Sequence, residues 1–489
     1  MSKILSEVSQ DCLNGESESL KVAVIGSGIS GMAAAWFLSQ KHQVTLFEKN
    51  DKLGGHTNTL EVDLPEGRQA VDTGFIVFNR PNYPNLTAMF EHLAVETQET
   101  EMSFSVSMNQ GQLEYSGSNL NTLFAQRSNL FSWQHWQMLK EITHFNKQAK
   151  QDLAANESQE GFVAGFYTGR LALPLGTYLN RLGISEHMKN SYLLPMAAAI
   201  WSCPVDTMMK FPAGSFLRFF ENHGLLNVSD RPQWETVKGG SQRYIDKLLE
   251  KAKFFPQTSC GVERVEKMPS GKLRVVSQQQ SEEYDHVIFA SHGDQTFEML
   301  SPQLQHEFGF LKNFSYQQNI AYLHWDESLM PRRKLAWSSW NYLRDTSQKE
   351  SAVAVTYWMN ELQAIQSKCP VLVTLNPIKP PSSDKTWQQI VYEHPVFDLK
   401  AMAAQVEVQK AQGRGNVWFC GAYNGYGFHE DGLKSAVDIA RAWGITLPWE
   451  QAESISSQQS SVASMAAVTP VTAKDELPNS FDKDIEGVA

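Results

Sequence analysis

The stretch from Val22 to Lys49, VAVIGSGISGMAAAWFLSQKHQVTLFEK, constrains this chain more than any other. Its opening run of four apolar residues predicts a strand buried on both faces of a parallel sheet. Gly26, Gly28 and Gly31 follow at the spacing GxGxxG, and each has its own task. Gly26 permits a tight turn, Gly28 lets the backbone approach a pyrophosphate, and Gly31 lets the helix from Ser30 pack close to the strand. The amides at that helix's N-terminus face the anion. A second strand, QVTLFE, ends in Glu48, about 20 residues on, where a carboxylate accepts hydrogen bonds from a ribose. Strand, turn, helix, second strand and acid, all in register, predict a bound dinucleotide.

A chain of 489 residues exceeds the usual size of one hydrophobic core, which predicts two domains and room for a large cofactor. Hydrophobic residues make up 42% and charged residues 19%, as in a globular body, and a net charge of −11 gives no support to nucleic-acid binding. The N-terminal MSKILSEVSQDCLNGESESL is broken by acids and has no secretory pattern, so a cytoplasmic location is expected. No apolar run approaches the roughly 18 residues of a spanning helix, the nearest being YLLPMAAAIW from Tyr192. Cys12, Cys203, Cys260, Cys369 and Cys420 are scattered and form no CxxC pair, which predicts neither a disulfide framework nor a metal site.

Residues 1–19 and 451–489 read as disordered, the second rich in Ser, Ala, Gln and acids with little to bury. Between them, residues 20–80, 234–300 and 413–445 alternate strand and helix character and are assigned to the dinucleotide domain. Residues 81–233 and 301–412, aromatic-rich and less regular, are assigned to a substrate domain.

Further motifs make the reading more specific. FEKNDKLGGHTNT and VDTGF follow the first unit, VKGGSQRYIDKLLEKA, GVERVEK and YDHVIFAS lie in the middle, and VWFCGAYNGYGFHEDGLKSAVDIARAWG lies near the end. Together they resemble the flavin-containing amine oxidase superfamily, which includes monoamine oxidases, phytoene desaturases and protoporphyrinogen oxidases. The resemblance implies an α/β fold in which a Rossmann-like FAD-binding domain is interleaved with an α+β substrate domain built on a mixed or antiparallel sheet. It implies FAD rather than NAD, held non-covalently. The contacts it implies begin with Gly26, Gly28, Ser30, Gly31, Glu48 and Lys49 in the first unit. They continue through Gly54, Gly55, His56 and Thr57, with His56 where the family often has arginine, and then Gly74 and Phe75. The backbone at Val262 would meet adenine. Gly421 and Ala422 would follow the last strand, and a helix beginning near Asp431 would turn the amides of Gly432 and Leu433 toward the flavin.

The chain departs from amine oxidases at the reacting end. Where that family carries a lysine, the strand QNIAYLHWDESLMP has Asn319, and no lysine occurs between Lys312 and Lys334. Tyr423 replaces an acid after the last glycine, and His429 replaces an aromatic over the flavin. His429, Asn319 and Tyr426 are the candidate catalytic residues. His429 reads equally well as a hydrogen-bonded loop histidine, and the tyrosines as packing residues. His324, Trp337 and Trp340 read better as sheet residues, and Arg332 to Lys334 as a solvated turn that could also meet an anionic head group.

FAQRSNLFSWQHWQMLKEITHF, FVAGFYTG and MMKFPAGSFLRFFENHGLL are dense in Phe, Trp, Met and Leu. They predict a second core with an apolar pocket, and Phe211, Phe216, Leu217, Phe219 and Phe220 are also read as a surface patch for docking on a bilayer. The combination of motifs resembles a bacterial subgroup of FAD-binding oxidoreductases linked to methyl-branched and furan fatty acids. The expected function is removal of two hydrogens from an apolar substrate, a phospholipid or other lipid acyl chain, with oxygen or another acceptor taking the electrons. An amine oxidase is the alternative enzyme, and a non-catalytic flavoprotein partner of a lipid-modifying enzyme the alternative of another class. A peripheral place on the inner face of the cytoplasmic membrane goes with the lipid reading.

Overall fold

The computed structural model describes residues 19–158, 167–201, 208–227, 231–345 and 354–450. The readings of 1–18 and 451–489 as disordered, the cysteines Cys12 and Cys203, and most of FVAGFYTG lie outside them. Residues up to Ile445 form one compact unit, and Thr446 onward belong to another.

The opening apolar run forms the strand Lys21–Ile25 at the centre of a five-stranded parallel sheet. Gln43–Phe47 and then Phe255–Gln257 lie to one side of it, and His286–Phe289 and then Val417–Phe419 to the other. Strands from four distant parts of the chain therefore share one sheet, whose inner strands are buried on both faces as parallel strands require, while Phe255–Gln257 at the edge is largely exposed. The helix Ile29–Leu38 is buried along its whole length. The helix His429–Ala442 packs against it, with Gly432 close to Ile29.

A second, seven-stranded sheet runs in the order Thr386–Val396, Ser315–His324, Leu372–Leu375, Ala354–Trp358, Trp340–Arg344, Phe104–Met108, Leu113–Ser116. All neighbours are antiparallel except Trp340–Arg344 and Phe104–Met108, so the sheet is mixed. The fold is thus α/β, a Rossmann-like layer joined to a mixed sheet with helices packed on it.

Two surface readings are corrected here. Phe211, Phe216, Leu217, Phe219 and Phe220 are all buried in the second core and offer no docking patch. The helix Ala213–Asn222 turns its apolar face inward, with Phe216 stacked on Phe220 at 4.3 Å and Phe219 on Phe428 at 4.9 Å. Arg332 to Lys334 are not simply a solvated turn either. Glu114 is fully buried, and Arg333 Nη1 reaches its carboxylate at 2.7 Å while the Arg332 and Arg333 amides donate to it at 2.7 and 3.2 Å.

Candidate functional site

A cavity of about 1550 Å³ runs between the two sheets. At one end is the glycine turn. Gly26 has φ +104°, and a Cβ there would meet the Ala290 carbonyl at 2.8 Å. A Cβ on Gly31 would lie 1.9 Å from the Gly26 carbonyl, so no side chain fits between turn and helix. Gly28 is different: no atom lies within 4 Å of its would-be Cβ. It caps the helix Ile29–Leu38 without any side-chain hydrogen bond, and Gly28, Ile29 and Ser30 line the cavity. Uncapped helix amides facing open space beside a bare backbone form a cradle for an anion.

Glu48 also lines the cavity, but its carboxylate does more than face a ribose. Its Oε2 accepts from the Ser27 amide at 3.0 Å and hydroxyl at 2.6 Å, and its Oε1 accepts from the Asn50 amide and side chain, both at 2.9 Å. Lys49 and Val262 line the same end. A Cβ on Gly55 would lie 3.1 Å from Gly28 Cα, so only glycine lets the two backbones lie this close, while Gly54 lies behind it with its amide on the Ser27 carbonyl.

His56, Gly74, Phe75, Gly421, Ala422, Tyr423, Tyr426 and His429 line the middle of the cavity. His429 stacks on Phe75 with ring centroids 3.9 Å apart, and its Nε2 lies 3.1 Å from both Thr57 Oγ1 and Tyr244 Oη. Burial pushes the His429 pKa down to about 3, His56 adding to the effect, so its ring is neutral. Thr57 does not line the cavity; it holds the His429 and Tyr244 side chains from behind.

Four expected site residues are corrected. Asp431, Gly432 and Leu433 do not line the cavity, because the helix starts at His429 and its first turn is used internally. Asp431 accepts from the Tyr426 and Phe428 amides at 3.0 and 2.9 Å, and burial raises its pKa to about 6. The Gly432 amide donates to the Phe428 carbonyl, and Leu433 is fully buried. Asn319 likewise faces the protein interior. Its Oδ1 accepts from Asn376 at 2.6 Å and its Nδ2 lies 2.7 Å from His394 Nδ1. It shares a face of the sheet with its paired residue Tyr392 and with His394, but it is fully buried and meets the cavity only through His394.

His394 is one of several residues that the sequence did not single out. His56 stacks on Tyr392 at 5.0 Å with His394 5.3 Å away, and His292 lies flat on Tyr316 at 4.1 Å. All five of these line the cavity. Burial lowers His56 against the pull of Glu393, and takes His292 to about 4 and His394 to about 3, where neighbouring histidines add to the shift. His56 Nε2 has no protein partner, and His292 Nδ1 sits 3.5 Å from a Glu393 carboxylate oxygen without hydrogen-bond alignment. Lone histidines in unremarkable segments carry no local signal, and only the approach of two strands and a loop makes them a group. No set of three or more His, Cys, Asp or Glu among the described residues has the arrangement of a metal site.

The far end of the cavity is apolar, walled by Phe104, Met196, Ile200, Leu225, Trp340 and Leu375. Trp340 is therefore a wall residue. Trp337 instead packs edge-on against Trp358, and His324 is buried against Thr374 at 2.7 Å.

Residues 24–93 match the model of the NAD(P)-binding Rossmann-like domain. Over 45 residues the chain is 53% identical to 4,4'-diapophytoene desaturase of Staphylococcus aureus (strain Newman), a match that spans 9% of this chain and 9% of that protein. Solved structures resemble it over much more of its length. A CLA-producing fatty acid isomerase from P. acnes has TM-score 0.62 at 15% identity, with 87% of this chain and 99% of that one covered. Wild-type putrescine oxidase bound to putrescine has TM-score 0.61 at 16%, covering 87% and 98%. Cyclohexylamine oxidase from Brevibacterium oxydans IH-35A has TM-score 0.58 at 14%, covering 87% and 100%. The chain thus matches the Rossmann-like domain model over residues 24–93 and has the fold that these isomerase and oxidase structures share.

Proposed function

We propose that this protein is an FAD-dependent oxidoreductase that removes two hydrogens from an apolar substrate, a lipid acyl chain, and passes the electrons to oxygen or another acceptor. The observation that carries the reading is one continuous cavity, which begins at an uncapped helix N-terminus beside Gly28 and ends in an apolar wall around Trp340. Its size and its two chemically different ends suit a dinucleotide at one end and a hydrocarbon at the other. The protein groups fit FAD: bare backbone at Gly28 and Gly55 for the pyrophosphate, Glu48 for the ribose, and backbone at Val262 for the adenine. Cys420 is buried outside the cavity, with its thiol pushed up to about 12, which supports non-covalent binding. The short likeness to a desaturase and the fold shared with a fatty acid isomerase support a lipid substrate.

When bound, the flavin supplies a two-electron acceptor for a hydride. The chain's own part is positioning and proton handling. The apolar wall orients the hydrocarbon and excludes water, which an unactivated C–H bond requires. Neutral imidazoles at His429 and His394 can take the proton that leaves with the second hydrogen. Asn319 acts only as a positioning residue, fixing His394.

Anaerobic incubation of the purified protein with cell lipid extract, while the flavin absorbance is followed, tests the reading. Bleaching by lipid supports it. Bleaching by benzylamine or a polyamine with no response to lipid overturns it in favour of an amine oxidase. Retained FAD that no extract reduces would point to a non-catalytic flavoprotein.

A further inference from the structure

One segment of the surface does what Phe216 and Phe220 do not. Leu120, Phe131 and Trp133 are 77%, 91% and 78% exposed, and Leu130 and Trp136 are 43% and 49% exposed. Single exposed apolar residues are ordinary, but five large ones within one short stretch, two of them tryptophans, form a patch that water disfavours.

The patch is held in shape. Asn119 caps the helix Leu120–Leu123 through a reciprocal pair of hydrogen bonds with Thr122, and Ser132 caps the helix Trp133–Glu157. Arg127 clasps the carbonyls of Asn121 and Phe124 at 3.2 and 2.9 Å, tying the Leu120 turn to the Phe131 turn. Trp136 Nε1 donates to the Leu130 carbonyl at 2.9 Å. Beneath, Phe124, His135 and Met138 are buried, so the exposed side chains stand on a packed base.

Charge selects the occupant. The chain carries a net −11, yet from Tyr115 to Lys140 it has no Asp or Glu and has Arg127 and Lys140. A second copy of this acidic chain docking isologously would bring these cations against themselves, whereas an anionic lipid surface complements them. Apolar and aromatic side chains beside cations, on a helix start lying flat on a domain, are the chemistry of interfacial binding.

We propose that Leu120, Leu130, Phe131, Trp133 and Trp136 form a membrane-docking surface that inserts into the head-group layer of an anionic phospholipid bilayer. This rests on the lipid substrate proposed above, since such a substrate resides in the bilayer the patch would touch.

Sedimentation with phosphatidylcholine vesicles containing about one-third phosphatidylglycerol tests it on the full chain. The wild type is expected to partition onto these vesicles, less so onto pure phosphatidylcholine or at high salt. F131S/W133S, with an unchanged far-UV spectrum and melting temperature, is expected to lose binding by more than about tenfold. The single variants F131S and W133S keep the test open should the double variant fail to fold. Equal binding by wild type and variants overturns the proposal. So does an absence of vesicle binding together with a concentration-dependent dimer that the variants abolish, which would assign the patch to a second copy. Flavin reduction by detergent-solubilised lipid separates the two readings. If it persists without vesicle binding, the docking surface alone fails; if vesicles bind but no lipid reduces the flavin, the substrate reading alone fails.

Discussion

His429 lies face to face with Phe75, ring centroids 3.9 Å apart and planes 12° apart, although the two come from opposite ends of the chain. The contact closes the middle of the cavity and sets the imidazole edge against Thr57 and Tyr244. A phenylalanine would keep the stack but remove the ring nitrogens. His429→Phe is expected to retain FAD while lowering the rate of substrate-driven flavin reduction by about 10²-fold, the range for losing a general acid or base. Stopped-flow reduction under anaerobic conditions reads this, and an unchanged rate would remove His429 from the chemistry.

Gly28 and Gly31 are separated by their surroundings. Nothing stands near the would-be Cβ of Gly28, whereas that of Gly31 meets the Gly26 carbonyl at 1.9 Å. Gly28→Ala should leave the stability of the FAD-free protein within about 0.5 kcal/mol and weaken FAD binding at least about tenfold, because the methyl occupies the approach to the pyrophosphate. Gly31→Ala should cost at least about 2 kcal/mol of stability through overpacking. Urea unfolding and flavin fluorescence titration together distinguish the two.

Glu48 serves the fold as well as the ligand. Four donors from Ser27 and Asn50 converge on its carboxylate. Glu48→Ala is therefore expected to lower the stability of the FAD-free protein by about 1–3 kcal/mol and to weaken FAD binding by a similar amount. Stability equal to wild type in urea unfolding would mean that these bonds contribute nothing net.

Removing Arg333 would leave the buried carboxylate of Glu114 with neutral donors only. Arg333→Ala is expected to destabilise the protein by about 3 kcal/mol, and Arg333→Ala with Glu114→Gln by less than the single change, since the uncompensated charge is then gone. A double-mutant cycle by chemical denaturation measures the difference.

Acidification should destabilise the FAD-free protein. Folding lowers the pKa of His56, His292, His394 and His429, the last three to about 4, 3 and 3. Between their unfolded value near 6.5 and these folded values the unfolded chain binds more protons, so stability is fully present above about pH 6.5 and falls as pH drops toward 4. The melting temperature should fall by several degrees between pH 7 and pH 5. Replacing His394 with Gln should flatten that slope, and a slope that does not change would deny the group its role.

The sequence by itself determined the Rossmann-like unit, because everything it needs is local. A buried strand, glycines at fixed offsets, a helix start and an acid at the next strand's end are all specified within Val22 to Glu48. The α/β class followed from that unit and from the family resemblance of the motifs that follow it. Tertiary structure decided what depends on which way a side chain points. Asn319 sits on a strand whose register sets it beside Tyr392 and His394 on one face of the sheet, and packing buried it completely while those two side chains line the cavity. A helix that starts two residues earlier than expected took Asp431, Gly432 and Leu433 out of the cavity lining, while His429, a candidate from the sequence, lines it. The aromatic segments illustrate the same limit. Phe216 and Phe131 stand in stretches of similar composition, but Phe216 lies on the core-facing side of its helix, whereas Phe131 ends a turn and leaves its ring in water. Composition records that apolar area is present; only the packing of distant elements determines whether water or protein covers it.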